Sequence, residues 1–231
     1  MLRLGDTVMT RIGLGTNRLT NTPEHVAFMK QAVGLGVTMI DTAHTYTGGQ
    51  SEATIGAALS SVPEGRIVAT KGGYAPGDGR AEVLRSQIEE SLRRLRAEVI
   101  DLYYLHRVHA DTPLEESVGA IAAYRDAGKI RHVGLSQVGI DQIELARQIV
   151  PIAAVQNHSN LSERGWDDVV DHCTREEIVF VPFFPSRAAA VVRSTTSPGA
   201  TALRRHRSAS RGCCGARRRR CRSRARSRWS T

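Results

Sequence analysis

The sequence predicts an α/β protein: a (β/α)8 TIM barrel, incomplete at about seven strands, followed by a disordered basic C-terminal segment. Short apolar runs typical of strands recur seven times between residues 14 and 180, and helical patterns fill the intervals. Parallel strands joined by right-handed helical crossovers satisfy such a repeat. Two architectures remain, a doubly wound open sheet and a (β/α)8 barrel.

The strand candidates follow one another at intervals of 21 to 33 residues, which leaves room for one helix in each crossover. Each run is short and mostly apolar, as expected for strands that are buried on both faces. The runs begin near Leu14, Thr38, Ile67, Ile100, His132, Ala153 and Ile178.

Three of the intervals contain clear helix signals. Thr22 and Pro23 place an N-cap and a proline at the first helical position of the first predicted helix. Thr112 and Glu115 form a capping-box pattern ahead of a later helix, which Gly128 is expected to end. The helix between these two has an apolar stripe and two i,i+4 ion pairs: Leu84, Ile88, Leu92 and Leu95, with Glu89–Arg93 and Glu90–Arg94.

Polar residues at the carboxyl ends of the strands favour the barrel. In a barrel all of these ends open on one face, whereas an open sheet concentrates its site at one switch point. Five successive apolar runs end in polar residues, so we predict a barrel with the functional site at its mouth. The residues are Asp41, Lys71, His106, Ser136 with Gln137, and Gln156 with Asn157, and Tyr46 lies in the loop after the first of these runs.

Separated motifs in a fixed order resemble the aldo-keto reductase family. They occupy residues 36–46, 51–52, 70–71, 101–106, 128–136 and 155–157. The resemblance implies an NADPH-dependent oxidoreductase that reduces aldehydes or ketones to alcohols on a (β/α)8 barrel. It also implies a catalytic tetrad of Asp41, Tyr46, Lys71 and His106, in which Tyr46 is the general acid.

The chemistry of such a tetrad can be stated from its residue types. Carbonyl reduction delivers a hydride to carbon and a proton to the developing alkoxide, and the hydride comes from the cofactor. Tyrosine, with a pKa of about 10, is a weak acid at neutral pH. We expect the Lys71 ammonium to lower the Tyr46 pKa, and Asp41 to hold that ammonium. His106 is expected to orient the substrate carbonyl.

The resemblance also implies NADPH-binding residues. It places Ser136 and Gln156 on the nicotinamide carboxamide and Phe183 against the nicotinamide ring, and Gln137 stands where the family commonly has asparagine. Gly15 and Thr16 are assigned to the cofactor site as well. The segment 13–15 lacks the full Rossmann glycine pattern, so NADPH is inferred from the resemblance alone. His106 and His109 lack cysteine or carboxylate partners in sequence, so no metal site is predicted.

The predicted substrate is a small carbonyl compound. Residues 15–20 and 156–161 are similar to the pyridoxal reductase branch of the family, which makes pyridoxal a candidate substrate. The chain has neither an apolar run of membrane-spanning length nor an apolar block of signal-peptide type near its N-terminus. A cytoplasmic protein with no membrane partner is therefore expected, and the oligomeric state is left open.

The basic charge is concentrated in residues 186–231. This segment contains 14 of the 32 basic residues and no acidic residue, so the first 185 residues carry 18 basic and 23 acidic residues. The resemblance covers roughly residues 1–185, which we predict to be an incomplete barrel domain. Residues 186–231 lack Ile, Phe, Tyr, Met, Asn and Lys, whose codons are A/T-rich, and this predicts an out-of-frame reading of a G/C-rich gene.

Two alternatives follow from this segment. A barrel without its last strand could be an inactive fragment, because unpaired edge strands destabilise a sheet protein. A separate alternative keeps the barrel as a noncatalytic NADPH-binding subunit. The arginine-rich residues 186–231 could instead bind nucleic acid nonspecifically through phosphate contacts.

Overall fold

The computed structural model describes residues 2–5, 7–60, 62–63 and 65–185 of the chain. They form two units, one comprising residues up to 157 together with 166–181, and the other comprising residues 158–165 and 182–185. The predictions of a disordered basic segment, an altered reading frame and nucleic-acid binding all concern residues 186–231, which lie outside the described residues.

The first unit contains a parallel sheet of seven strands in sequential order, preceded by an antiparallel hairpin of β1 (Leu2–Leu4) and β2 (Thr7–Met9). Every neighbouring pair in the larger sheet is parallel. A doubly wound sheet would reverse its strand order at a switch point, so the predicted incomplete (β/α)8 barrel of about seven strands is confirmed for the described residues. The seven strands are β3 (Leu14–Gly15), β4 (Met39–Asp41), β5 (Ile67–Gly72), β6 (Ile100–Leu105), β7 (Ile130–Ser136), β8 (Ile152–Gln156) and β9 (Val179–Phe180).

Helices fill the crossovers as predicted. The first begins behind Thr22, whose Oγ1 accepts a hydrogen bond from the His25 N–H at 3.3 Å, and Pro23 is its first residue. The third buries the predicted apolar stripe, and the fourth ends just before Gly128, which has a φ of 74°. The helices are α1 (Pro23–Gly34), α2 (Gln50–Leu59), α3 (Ala81–Leu95), α4 (Leu114–Asp126), α5 (Ile140–Arg147) and α6 (Asp167–Arg175).

The capping box predicted at Thr112 is wrong. Helix α4 begins at Leu114, and the carbonyl of Pro113 accepts from the N–H groups of Glu116 and Ser117, so the cap lies one residue later. The Thr112 hydroxyl donates to the carboxylate of Asp111 instead, at 3.2 Å.

One of the two predicted ion pairs on α3 is also wrong. Arg94 does pair with Glu90, at 3.0 Å. Arg93 pairs with Glu90 as well, three residues away, rather than with Glu89. Glu89 binds Lys129 at 2.7 Å, because the chain returns there from α4 into β7.

The strands alternate between two buried faces. One set of side chains packs against the helices, and the other fills the interior together with Leu4 and Met9 of the hairpin. The interior set from the strands is Met39, Ile67, Ala69, Leu102, Tyr104, Ala154 and Val179. Asp41, Lys71 and Gln156 each lie two residues beyond one of these interior residues. Ser136 lies two residues beyond the register partner of Ala154. The alternation therefore directs the polar strand ends to the mouth above this core.

No helix in the described ranges combines the length and the apolar character needed to cross a bilayer.

Candidate active site

A buried ammonium lies at the centre of the polar strand ends. Lys71, in β5, is fully buried, and its Nζ donates to both carboxylate oxygens of Asp41 at 2.8 and 2.9 Å. The same nitrogen donates to the carbonyl of Thr42 at 2.7 Å. Burying a lysine is costly unless its charge is paired and its protons are hydrogen-bonded, and both conditions hold here.

Tyr46 approaches the same ammonium from the loop after β4. Its hydroxyl lies 3.5 Å from Lys71 Nζ, and its ring centroid lies 5.0 Å from that nitrogen. Tyr46 begins a short 3-10 turn, Tyr46–Gly49, in which Thr47 and Gly48 have left-handed backbone angles, φ 49° and 65°. This reversal directs the chain from the strand end into α2.

The Tyr46 phenol stays protonated across the neutral range. Burial raises the pKa of Tyr46, the Lys71 ammonium opposes this, and the negative charge of Asp41 reinforces it. The net lowering expected from the sequence is therefore wrong, because burial outweighs the ammonium. A phenol that keeps its proton is suited to act as a proton donor.

His106 is a neutral imidazole beside that phenol. It follows β6 directly, is buried, and its ring centroid lies 6.0 Å from that of Tyr46 and 4.8 Å from that of Tyr74. Burial, together with the positive charges of Lys71 and Arg107, lowers the pKa of His106 to about 3. Its buried Nδ1 has no hydrogen-bond partner among the described residues. A neutral imidazole retains one N–H donor for a ligand.

This pKa predicts an acid-dependent loss of stability. Between pH 6.5 and about 3 the unfolded chain binds a proton at His106 that the folded chain does not, so stability falls as pH decreases through that range. Between about pH 7.5 and 5, we expect the free energy of unfolding, measured with urea, to fall by about 2 kcal/mol more in the wild type than in His106→Gln. His109→Gln, in the same loop, is the control and should follow the wild type. Equal pH dependence in wild type and His106→Gln would contradict the assignment.

Two of the predicted cofactor residues lie side by side. Ser136 and Gln156 are directly opposite each other across β7 and β8, and both are buried. Gln156 Nε2 also donates to Asp41 Oδ1 at 3.1 Å, which connects it to the ammonium network. Gln137 has a φ of 58°, and asparagine tolerates this left-handed region better than most residues. Both ends of the Asn157 amide bind the backbone of Val138, a structural role.

Thr16 is already engaged by the protein. Its N–H and its hydroxyl both donate to the carbonyl of Asp41, at 3.0 and 2.9 Å, and its side chain is buried. Ser51 donates to Thr16 in turn, at 2.8 Å. Thr16 therefore fixes the backbone of Asp41, whereas the exposed Gly15 lies beside Asp41 in the register of β3 and β4.

Phe183 belongs to the second unit. There its ring stacks on His158 with a centroid separation of 5.2 Å and an interplanar angle of 13°. Its assignment to a nicotinamide ring stays a prediction.

An ion pair in the first unit was not predicted from the sequence. Glu52 and Arg94 lie 3.4 Å apart, with the Glu52 side chain fully buried and that of Arg94 20% exposed. The signal was present, because Ser51 and Glu52 form one of the motifs in the resemblance. Within the part of the chain that the structure describes, no three His, Cys, Asp or Glu side chains lie together as metal ligands would.

The chain is similar to a family of reductases. Residues 11–223 match the aldo/keto reductase family, so the match extends into the arginine-rich segment. An uncharacterized oxidoreductase of Schizosaccharomyces pombe is 35% identical over 211 residues, which are 84% of this chain and 69% of that protein. A probable aldo-keto reductase of Glycine max is 36% identical over 193 residues, covering 77% of this chain and 56% of the relative.

Solved structures show the same fold. A glycerol dehydrogenase from Gluconobacter oxydans superposes with a TM-score of 0.74 at 29% identity, over 86% of this chain and 68% of that one. An aldo/keto reductase from Klebsiella pneumoniae, solved in complex with NADP and acetate, superposes with a TM-score of 0.71 at 26% identity. That match covers 88% of this chain and 73% of the other.

Proposed function

Because this chain belongs to the aldo/keto reductase family, we propose that it is an NADPH-dependent oxidoreductase that reduces aldehydes or ketones to alcohols. The observation behind the proposal is the continuous contact from Asp41 through Lys71 to the Tyr46 hydroxyl. The neutral His106 beside Tyr46 adds a second potential donor. Pyridoxal is the first substrate to test, because of the resemblance in residues 15–20 and 156–161.

The residues at the mouth fit the nicotinamide end of such a cofactor. Ser136 offers a hydroxyl and Gln156 an amide on adjacent strands, and these groups match the donors and acceptors of a carboxamide. The buried and unpartnered Nδ1 of His106 shows that the polar groups here are not all satisfied within the described chain. We assign Ser136 and Gln156 to the carboxamide.

Bound NADPH would supply the hydride to the carbonyl carbon. The Tyr46 hydroxyl donates its proton to the carbonyl oxygen as negative charge develops there. The Lys71 ammonium then stabilises the phenolate that remains, and Asp41 keeps the ammonium in position. Neutral His106 donates a hydrogen bond to the same oxygen, so two donors orient the carbonyl.

The proposal is tested by assaying the purified chain with NADPH and a panel of pyridoxal and simple aldehydes. We expect NADPH oxidation that depends on the carbonyl compound, with one alcohol formed per NADPH consumed. NADPH binding without turnover on any substrate would favour the noncatalytic alternative. Neither binding by fluorescence titration nor turnover would favour the inactive alternative.

A further inference from the structure

A fully buried carboxylate touches the strand that holds Lys71. Glu52 lies in the first turn of α2, and its Oε1 accepts a 2.6 Å hydrogen bond from the hydroxyl of Thr70, the residue before Lys71 in β5. Its other oxygen lies 3.4 Å from Nη1 of Arg94. Burying a carboxylate costs free energy even when the charge is paired. The contact of this carboxylate with Thr70 therefore needs an explanation.

Arg94 extends from α3 to the loop that precedes Tyr46. Its Nη1 donates to the carbonyl of His44 at 3.1 Å, and its Nε binds Glu90 at 3.0 Å. The N–H of His44 donates to the carbonyl of Lys71 at 2.9 Å. His44, two residues before Tyr46, is therefore bound to β5 by its N–H and to Arg94 by its carbonyl.

The turn that begins at Tyr46 is shaped to accept the guanidinium. Gly49 has a φ of 87°, and a Cβ at this position would collide with the guanidinium of Arg94. Both the backbone angle and the close approach require glycine. Arg94 thus contacts the loop on both sides of Tyr46, at His44 and at Gly49.

From these contacts we propose that Glu52 and Arg94 are positioning residues for Tyr46. The inference rests on the proposed function, because it assigns the pair to the same proton donor. The 3.5 Å separation of the Tyr46 hydroxyl and Lys71 Nζ is at the long end of a hydrogen bond, so a small movement of the loop breaks it. Glu52 holds the Lys71 strand through Thr70, and Arg94 holds the Tyr46 loop through His44.

The test combines kinetics with a direct observation of Tyr46. Arg94→Met removes the guanidinium, and Arg93→Met is its matched control, because Arg93 is the exposed neighbour that also pairs with Glu90. Tyrosine labelled with carbon-13 at Cζ reports the phenol by NMR, with the Tyr46 signal identified by its loss in Tyr46→Phe. We expect Arg94→Met to shift the Tyr46 signal and to lower kcat about 100-fold at unchanged KM. Arg93→Met is expected to change neither.

Two further variants guard against a simple folding defect. Glu52→Gln keeps the side-chain volume and an oxygen acceptor for Thr70 but removes the charge that pairs with Arg94. Because Arg94 then loses its buried partner, the variant should shift the Tyr46 signal in the same direction. Arg94→Lys should recover only part of kcat. The lysine ammonium can still donate to one acceptor, but it lacks the several planar N–H donors of the guanidinium. Wild-type Tyr46 signals in both Arg94→Met and Glu52→Gln would overturn the proposal, as would equal effects in Arg93→Met.

The NMR measurement separates this inference from the proposed function. If the wild type reduces no carbonyl compound, the proposed function fails, and the Tyr46 signal still reports whether Arg94 fixes the loop. A shifted signal then supports the positioning role, and an unchanged signal overturns it.

Discussion

Replacing Tyr46 with phenylalanine is expected to lower kcat for carbonyl reduction by about 10²- to 10⁴-fold, the usual contribution of a general acid. The variant loses only the hydroxyl, which lies 3.5 Å from Lys71 Nζ, so the fold and the cofactor residues Ser136 and Gln156 are left intact. Steady-state kinetics and an NADPH fluorescence titration measure the two effects. The dissociation constant of NADPH should remain close to that of the wild type.

Tyr74→Phe is the matched control for this experiment. Its ring also contacts His106, but the side chain is half-exposed. We expect it to keep most of the wild-type kcat. If Tyr46→Phe retained the wild-type kcat, Tyr46 would not be the proton donor.

Replacing Lys71 with methionine should damage both catalysis and stability. The phenolate of Tyr46 loses its stabilising charge, so we expect kcat to fall by at least the factor seen for Tyr46→Phe. Asp41 is left without its counter-ion in a site where its side chain is only 18% exposed, which should cost about 3 kcal/mol of unfolding free energy. Urea unfolding monitored by circular dichroism measures the second effect.

Lys129→Met provides the comparison for stability. Lys129 binds Glu89 at a similar distance, 2.7 Å, but about half of each side chain is exposed. Losing this ion pair should lower the free energy of unfolding by no more than about 1 kcal/mol. Adding Asp41→Asn to Lys71→Met should restore part of the lost stability, because it removes the unpaired charge. Equal costs for Lys71→Met and Lys129→Met would show that the buried pair has no special role.

The strands could be predicted because a buried parallel strand has a local signature. Three apolar residues and Thr70 precede Lys71, and a lysine at the carboxyl end of such a run indicates a polar site at the mouth. The order of the strands then followed from the polar residues at successive carboxyl ends, which favoured a barrel over a doubly wound sheet. This is why the residues of the Asp41, Lys71 and Tyr46 cluster could be named before their contacts were known.

The features that could not be predicted depend on distant parts of the chain. The pKa of Tyr46 moves upward because of its burial in the folded chain, which no local motif encodes. Glu89 pairs with a lysine 40 residues away rather than with the arginine on its own helix. The role of Thr16 as a support for Asp41 likewise depends on the pairing of β3 with β4.

The most direct test of the account is a crystal structure of the chain with NADP⁺ bound. The account predicts the Tyr46 hydroxyl within hydrogen-bond reach of Lys71 Nζ, and the nicotinamide carboxamide on Ser136 and Gln156. A structure in which the hydroxyl of Tyr46 and the amine of Lys71 lie in separate environments would contradict it.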